Sequence, residues 1–340
     1  MKLKIIIILA VFITIGTVLV VHKNTSSESD YQDMLILFTD QNLTVSYFFH
    51  HKNTDDLVNI KKAADFPTAV LSNNKNELYY TDFDSNSDTQ LFKKDLKTSN
   101  ISQLTKNFKS VDTLKLDEEN QKMYMRVLLK GDKNFHIATL DLKTKKMVVW
   151  NEGNKDRSVK FFDFNKRTGL VYAVIYSEKE LYHNLVEFNN NHTTFKSPLH
   201  RFVMFDDKGR QLKEIGQINV QVQDISVSTS GEKILFTSVS NPNEGSNYVI
   251  NEMRTDDGTY FSIFESAQNK LSNLQQAQYL QEGRKIYFLA AANDAKVLKD
   301  ESGTTAKLRS IYQYNLIDQK LTMKWSKNNG IINGFLLFNK

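Results

Sequence analysis

Three aspartates are the residues of this chain best placed to do chemistry. Asp112, Asp163 and Asp224 each stand in or near the opening strand of a repeated segment. Carboxylates gathered from separate segments could serve as acid and base on a glycosidic or lactone bond. The same residues serve equally well as turn or ion-pair carboxylates, and no local motif distinguishes the two roles. Asp82, Asp84, Asn86 and Asp88 place oxygen side chains at alternate positions, like the start of a calcium loop. Ser87 holds the place of the loop glycine and Lys93 that of the bidentate glutamate, so a hairpin turn is the expected role. His50 and His51 are adjacent, so on a strand they face opposite ways, and none of the histidines shows metal-ligand spacing. The chain has no cysteine, which removes disulfides, thiolate catalysis, cysteine-ligated zinc and a lipid-modified N-terminal cysteine. It has no Gly-x-Ser-x-Gly elbow and no phosphate-binding glycine loop. No metal or cofactor is implied, and no residue is assigned a catalytic role.

The elements that must position these residues repeat. Ser228-Thr229-Ser230-Gly231-Glu232-Lys233-Ile234-Leu235-Phe236-Thr237-Ser238 reads as a polar turn followed by a buried strand. Weaker copies occur at Leu71–Asp82, Leu116–Val127, Phe164–Tyr176 and Leu280–Ala290. Each is followed by an alternating run, a short Asp/Lys/Thr/Gly turn and a second alternating run, the pattern of a hairpin. The second segments, such as Leu170–Tyr176 and Ile286–Ala290, are almost continuously apolar, as strands covered on both faces are. Five full units are expected, at about 66–105, 107–150, 156–215, 219–264 and 271–325. Residues 34–60 supply second, third and fourth strands without a first, and Ile331–Phe338 supply a first strand alone. Joined, the two ends make a sixth unit, and such a closure leaves no open edge. Trp150 and Trp325 end equivalent fourth strands and are expected to pack between units.

The Ser-x-x-Gly-x-Lys-Ile-x-Phe-Thr-Ser segment at Ser228–Ser238 and the Leu-x-x-x-Asp-Leu-x-Thr hairpin ending Gln-Leu-Thr at Leu91–Thr105 resemble the repeats of TolB-like, WD40-like propellers. The resemblance extends over about 34–338. It implies an all-β, six-bladed β-propeller closed by its N- and C-terminal strands. Such propellers serve as adaptors, as gating domains of peptidases and as ligand platforms, so the fold alone does not name a function. No α/β region follows the propeller, so the catalytic half of the peptidases is not expected.

Insertions concentrate between second and third strands, where they share the face of the links between blades. One spans Ser177–Leu199, another Ala292–Arg309, and a shorter one Asn241–Asn247. Long loops on a rigid ring are where binding usually resides. The binding-face residues expected from them are Glu178, Lys179, Tyr182, His183, His192, Phe195 and Lys196 in the first, with Lys299, Asp300 and Arg309 in the second. Both charge signs with interspersed aromatics suit a protein or glycan surface better than a phosphate cradle.

Met1-Lys2-Leu3-Lys4 precedes an uncharged run of 17 residues, Ile5–Val21. As a helix this would span about 25 Å, the short end of a membrane crossing. No small-x-small site follows the run, so residues 1–21 read as an uncleaved signal anchor and 22–33 as a linker; secretion after signal cleavage is the alternative. The formal net charge of +5 is mild and no block of Lys and Arg is present, so nucleic acid is not an expected partner. The sequence therefore predicts a non-catalytic extracytoplasmic binding module, single-pass in the cell membrane, with residues 34–340 forming the propeller. Its expected partner is a protein or a cell-wall or other surface polymer. The alternative is an extracytoplasmic glycoside- or lactone-active propeller enzyme using axial carboxylates.

Overall fold

The structure, a computed structural model, describes residues 32–338 apart from 63–66, 152, 192–193 and 240–246. The expected anchor at 1–21, most of the linker at 22–33, His192 and most of the Asn241–Asn247 insertion lie outside the described residues. Among the described residues no helix is long and apolar enough to cross a membrane.

The strands run in chain order through six four-stranded antiparallel sheets. Blade 1 holds β1 (Met34–Asp40), β2 (Thr44–His51) and β3 (Thr54–Lys62). Blade 2 holds β4 (Ala69–Leu71), β5 (Glu77–Phe83), β6 (Thr89–Asp95) and β7 (Ile101–Gln103). Blade 3 holds β8 (Phe108–Asp117), β9 (Lys122–Leu129), β10 (Phe135–Asp141) and β11 (Met147–Val149). In blade 4, β12 (Arg157–Asn165) and β13 (Leu170–Ser177) are followed by the helix α1 (Glu178–Asn191), then β14 (His200–Phe205) and β15 (Gln211–Ile218). Blade 5 holds β16 (Gln221–Val227), β17 (Lys233–Val239), β18 (Tyr248–Arg254) and β19 (Tyr260–Glu265). In blade 6, β20 (Leu271–Gln281) and β21 (Lys285–Ala292) precede a small hairpin, β22 (Val297–Lys299) with β23 (Thr305–Lys307). The blade then resumes with β24 (Ser310–Asn315) and β25 (Leu321–Ser326). Last, β26 (Gly330–Leu337) pairs with β1 as the missing first strand of blade 1, with Met34 opposite Leu337 and Asp40 opposite Gly330. The terminal closure expected from the sequence is therefore the one observed.

The core sits between blades. Six buried apolar clusters each join one pair of neighbours, so every interface around the ring is filled. Second strands form the centre of this packing: Ile286, Phe288, Leu289 and Ala290 are fully buried in β21, as are Leu235 and Phe236 in β17. Burying each large apolar side chain contributes about 1.5–3 kcal/mol, which explains the continuous apolar runs. Trp150 packs against Tyr124 and Phe205, and Trp325 against Phe38 and Phe48. Both tryptophans bridge to the next blade, as their placement suggested.

Local chemistry explains the repeat. The Ser228 hydroxyl accepts the Lys233 amide while Gly231, at φ +79°, supplies the left-handed turn residue. In blade 2, Ser72 accepts the Glu77 amide in the same way, and Lys75 takes the left-handed place at φ 59°. In the outer hairpins, Asp95 Oδ1 accepts the amides of Lys97 and Thr98, and Asp141 Oδ1 those of Lys143 and Thr144. The residue after each turn aspartate donates its amide back to the inner turn of its own blade, Leu96 to Asn76 and Leu142 to Gln121, both at 2.8 Å. Thr255 to Glu232 and Leu316 to Arg284 repeat the bond in blades 5 and 6. The Asp-Leu-x-Thr pattern is thus the signature of a clamp between two turns.

Candidate functional site

Two faces bound the ring. The turn face carries the turns that join first to second and third to fourth strands, and the entry of the chain. Asp33 pairs there with His51 at 2.7 Å and with Lys75 at 3.3 Å, and the Gln32 side chain donates to the Phe338 carbonyl. The link face carries the connections between blades, α1 and the β22–β23 hairpin.

The Ser177–Leu199 insertion, expected as a loop, folds largely as α1. Ser177 caps it by accepting the Glu180 amide at 3.1 Å, and Asp156 accepts the Lys179 amide at 2.9 Å. Glu178 and Glu180 place negative charge in its first turn, as the helix dipole favours. The signal was present as Ser-x-x-Glu, although Glu180 bonds forward to the Leu199 amide and not back to Ser177. Half-buried Phe188 meets Phe195 edge-on at 6.2 Å, and Asn184 donates to the Lys196 carbonyl. No residue of α1 is fully buried. Tyr182 is 70% exposed, and Leu185 and Val186 are exposed beside it. His183 pairs along the helix with Glu187 at 3.3 Å.

Lys299 and Asp300 fall in the hairpin on blade 6. Asp300 closes its turn by accepting from Ser302 and the Thr304 amide, and Lys299 offers its carbonyl to Gln41 of blade 1. The hairpin thus leans across the closure between last and first blades. No hydrogen bond or ion pair among the described residues joins it to α1, which stands two blades away.

Arg309 departs from the expected surface placement. It lines an axial cavity of about 570 Å³ that opens at the link face and draws side chains from all six blades. A second compartment of about 330 Å³ continues to the turn face; Leu114, Lys115, Ser226, Gln278 and Leu336 line both. Arg309 donates to Gln275 Oε1 at 3.2 Å, has no carboxylate in ion-pair range among the described residues, and has its acidity raised by burial.

The three axial aspartates are all engaged. Asp112 receives Arg126 bidentately, Nε on Oδ1 and Nη2 on Oδ2, both at 2.7 Å. The remaining Arg126 nitrogen reaches the Lys160 carbonyl, so the pair also ties blade 3 to blade 4. Asp163 meets Lys115 at 2.6 Å and accepts the Val227 amide of blade 5 at 2.7 Å. Asp224 accepts Thr237 Oγ1 at 3.0 Å and the Gln276 amide of blade 6 at 2.6 Å, with no cation in ion-pair range among the described residues. Burial pushes Asp224 up to about 6. Asp163 and Asp224 bond directly to a neighbouring blade and Asp112 through Arg126, and Asp224, with its raised pKa, lies on the larger cavity.

One polar group escaped the sequence reading. His200 is fully buried and donates Nδ1–H to the Val220 carbonyl, which leaves Nε2 to accept the Lys160 ammonium at 3.2 Å. Burial and the adjacent lysine hold His200 down to about 3; burial and Arg126 bring Lys160 to about 8. Nothing periodic in the sequence marks the pair, because Lys160 sits at a bulge in β12. Elsewhere the calcium-like segment is a turn: Asp84 accepts the amides of Asn86 and Asp88, while Asp88 pairs with Lys109 and Lys130. His50 pairs with Asp55 and His51 with Asp33.

Ring, closure and turn chemistry define a TolB-like six-bladed propeller. The chain belongs to the family of the uncharacterised protein YdjN of Bacillus subtilis, with which it shares 32% identity over 324 residues, 94% of this chain and 90% of that one. No family model matches the sequence. Among solved structures, TolB from Acinetobacter baumannii is similar with a TM-score of 0.58 and 13% identity, over 91% of this chain and 67% of that one. A TolB candidate from Agrobacterium tumefaciens gives 0.56 and 11%, over 88% and 91%. An oligogalacturonate lyase in complex with manganese gives 0.52 and 11%, over 86% and 85%. At these identities the likeness is one of fold.

Proposed function

We propose that this propeller is a non-catalytic binding module, held outside the cell membrane by its apolar N-terminal segment. Its link face contacts a partner protein or a surface polymer. The observation that carries this reading is the polarity of the ring. The chain enters on the turn face at Gln32, while α1 and the hairpin leave from the opposite face. A tether on the first face presents the second away from the membrane. A helix of 14 residues with no fully buried side chain adds little to the ring's own core, and its exposed Tyr182, Leu185 and Val186 are the kind of side chain interfaces bury. The fold similarity to TolB is consistent with a protein-contacting role.

Photo-crosslinking in cells expressing the full-length chain tests this. Probes go at Tyr182 and Val297 on the link face, with Ile317, 71% exposed in a turn-face loop, as control. A discrete adduct from both link-face sites and none from Ile317 is the expected result. Absence of adducts, or equal adducts from Ile317, would sink the reading.

Asp224 favours a second reading. A carboxylate pushed up to about 6 on a cavity is suited to proton transfer, and an oligogalacturonate lyase shares the fold. Against it, the other two axial carboxylates are occupied by Arg126 and Lys115, so a two-carboxylate mechanism lacks its second member. Turnover of a glycan or lactone that Asp224→Asn abolishes would establish the enzyme.

A further inference from the structure

We infer that the link-face compartment of the axial cavity is a binding site for a small hydroxylated organic carboxylate, with the Arg309 guanidinium as its anion clamp. This site is separate from the link-face surface assigned above to a macromolecular partner. The first support is the state of the cations around the cavity. Arg126 is committed to Asp112, and Lys115 to Asp163. Arg309 alone among the cavity's cations has no carboxylate partner among the described residues; one side-chain amide oxygen, that of Gln275, receives it. A guanidinium carries five donors in a planar fork that matches a carboxylate bidentately. Holding it half-buried against an amide leaves most of that capacity unused, which is costly unless a ligand or water takes it up.

The second support is the lining. Gln275 and Gln278, both lining the cavity, each engage one end of the amide, through Oε1 and Nε2 respectively, and the other end makes no hydrogen bond among the described residues. Gln223 makes no side-chain hydrogen bond among the described residues. Three amide groups lining the cavity with Arg309, together with the Ser226 hydroxyl, offer both donors and acceptors. Hydroxyl groups need such mixed partners, whereas a simple fatty or aromatic acid would leave them unpaired. The volume of about 570 Å³ falls in the range of small-molecule sites. Next to Arg309 in the chain, Leu308 donates its amide to the Lys296 carbonyl, so the clamp sits at the base of the β22–β23 hairpin.

The test uses the purified full-length protein and calorimetric titration with gluconate, glucuronate and malate, against sorbitol and succinate as controls lacking the charge or the hydroxyls, and against inorganic phosphate. Saturable binding of at least one hydroxy acid, with weaker binding of sorbitol and succinate, is expected. Arg309→Gln is expected to weaken it ~10-fold or more. Should that variant misfold, wild-type protein is treated with phenylglyoxal, and mass spectrometry should find Arg309 protected by the bound acid and not by sorbitol. The proposal is overturned by no saturable binding of any hydroxy acid, by equal binding of sorbitol, by tighter binding of phosphate, or by hydroxy-acid binding that leaves Arg309 fully reactive. Because these readouts use small acids and Arg309, they stand or fall independently of the crosslinks at Tyr182 and Val297.

Discussion

The two faces of the ring are built to different ends. On the turn face, short turns are tied to one another across blades. Asn73 donates to Glu118 at 2.8 Å, Asn165 to the Ser228 carbonyl at 2.7 Å, and Ser230 to Glu282 at 2.7 Å. On the link face the chain spends two insertions, α1 and the hairpin, that bury little, and the cavity behind them is the larger of the two compartments. The contrast teaches that packing between blades and the tied turns hold the ring, which leaves room for insertions at the link face.

The largest expected effect falls where an outer turn meets the neighbouring blade. Gly258, at φ +74°, packs so closely on blade 4 that a Cβ would run into the Ile215 carbonyl. Gly258→Ala should lose about 4 kcal/mol in urea unfolding, from left-handed strain plus overpacking. Gly283→Ala, at φ +71° with open space around it, should lose only about 1 kcal/mol. Equal losses would show that strain alone matters and that the blade contact does not.

Next comes Arg126→Met. It strands Asp112 in a partly buried site and removes a tie between blades 3 and 4; about 3 kcal/mol should be lost after allowance for partial exposure. A loss under about 1 kcal/mol would mean that water replaces the guanidinium freely.

The third effect is a pH slope. Asp224 has a folded pKa of about 6 against an ordinary value of 3.8, so between these limits the folded state binds the proton more tightly. Its contribution to stability therefore falls as pH rises through that window, by up to about 3 kcal/mol. His200 acts oppositely: held to about 3 against 6.5, it favours folding above 6.5 and loses that contribution as pH falls toward 3. Comparing Asp224→Asn with the parent between pH 4 and pH 7 isolates the aspartate term. The variant should gain on the parent as pH rises, and parallel profiles would refute a carboxylate whose pKa burial raises.

The smallest expected change in stability comes from Tyr182→Ser combined with Leu185→Ser. Neither side chain is buried, so melting should move by no more than about 0.5 kcal/mol. The link-face crosslink at Val297 should survive while binding through α1 is lost. A large loss of stability would make α1 part of the core and erase the contrast between faces.

Much of the ring was legible because its determinants are local. Alternation within a strand, a serine or aspartate that accepts nearby amides, and a residue able to take positive φ all act within about ten residues. The helix α1 was legible in principle from Ser177 and Glu180, yet the whole Ser177–Leu199 insertion was expected as a loop. The site was legible only in part. Asp112, Asp163 and Asp224 were found as first-strand carboxylates, but Arg126, Lys115 and Lys160, which decide what those carboxylates can do, carry no pattern.

What the sequence determined by itself is the six-fold repeat and its closure, since incomplete first and last units can bury their edges only in each other. The tertiary structure alone decided the state of the charges. It paired Arg126 with Asp112 and Lys115 with Asp163, gave Asp224 no cation among the described residues, and turned Arg309 inward to the cavity. These outcomes depend on which residues of different blades converge on one axis, and on bulges that shift side chains between faces. Neither is encoded within the span of a single turn or strand.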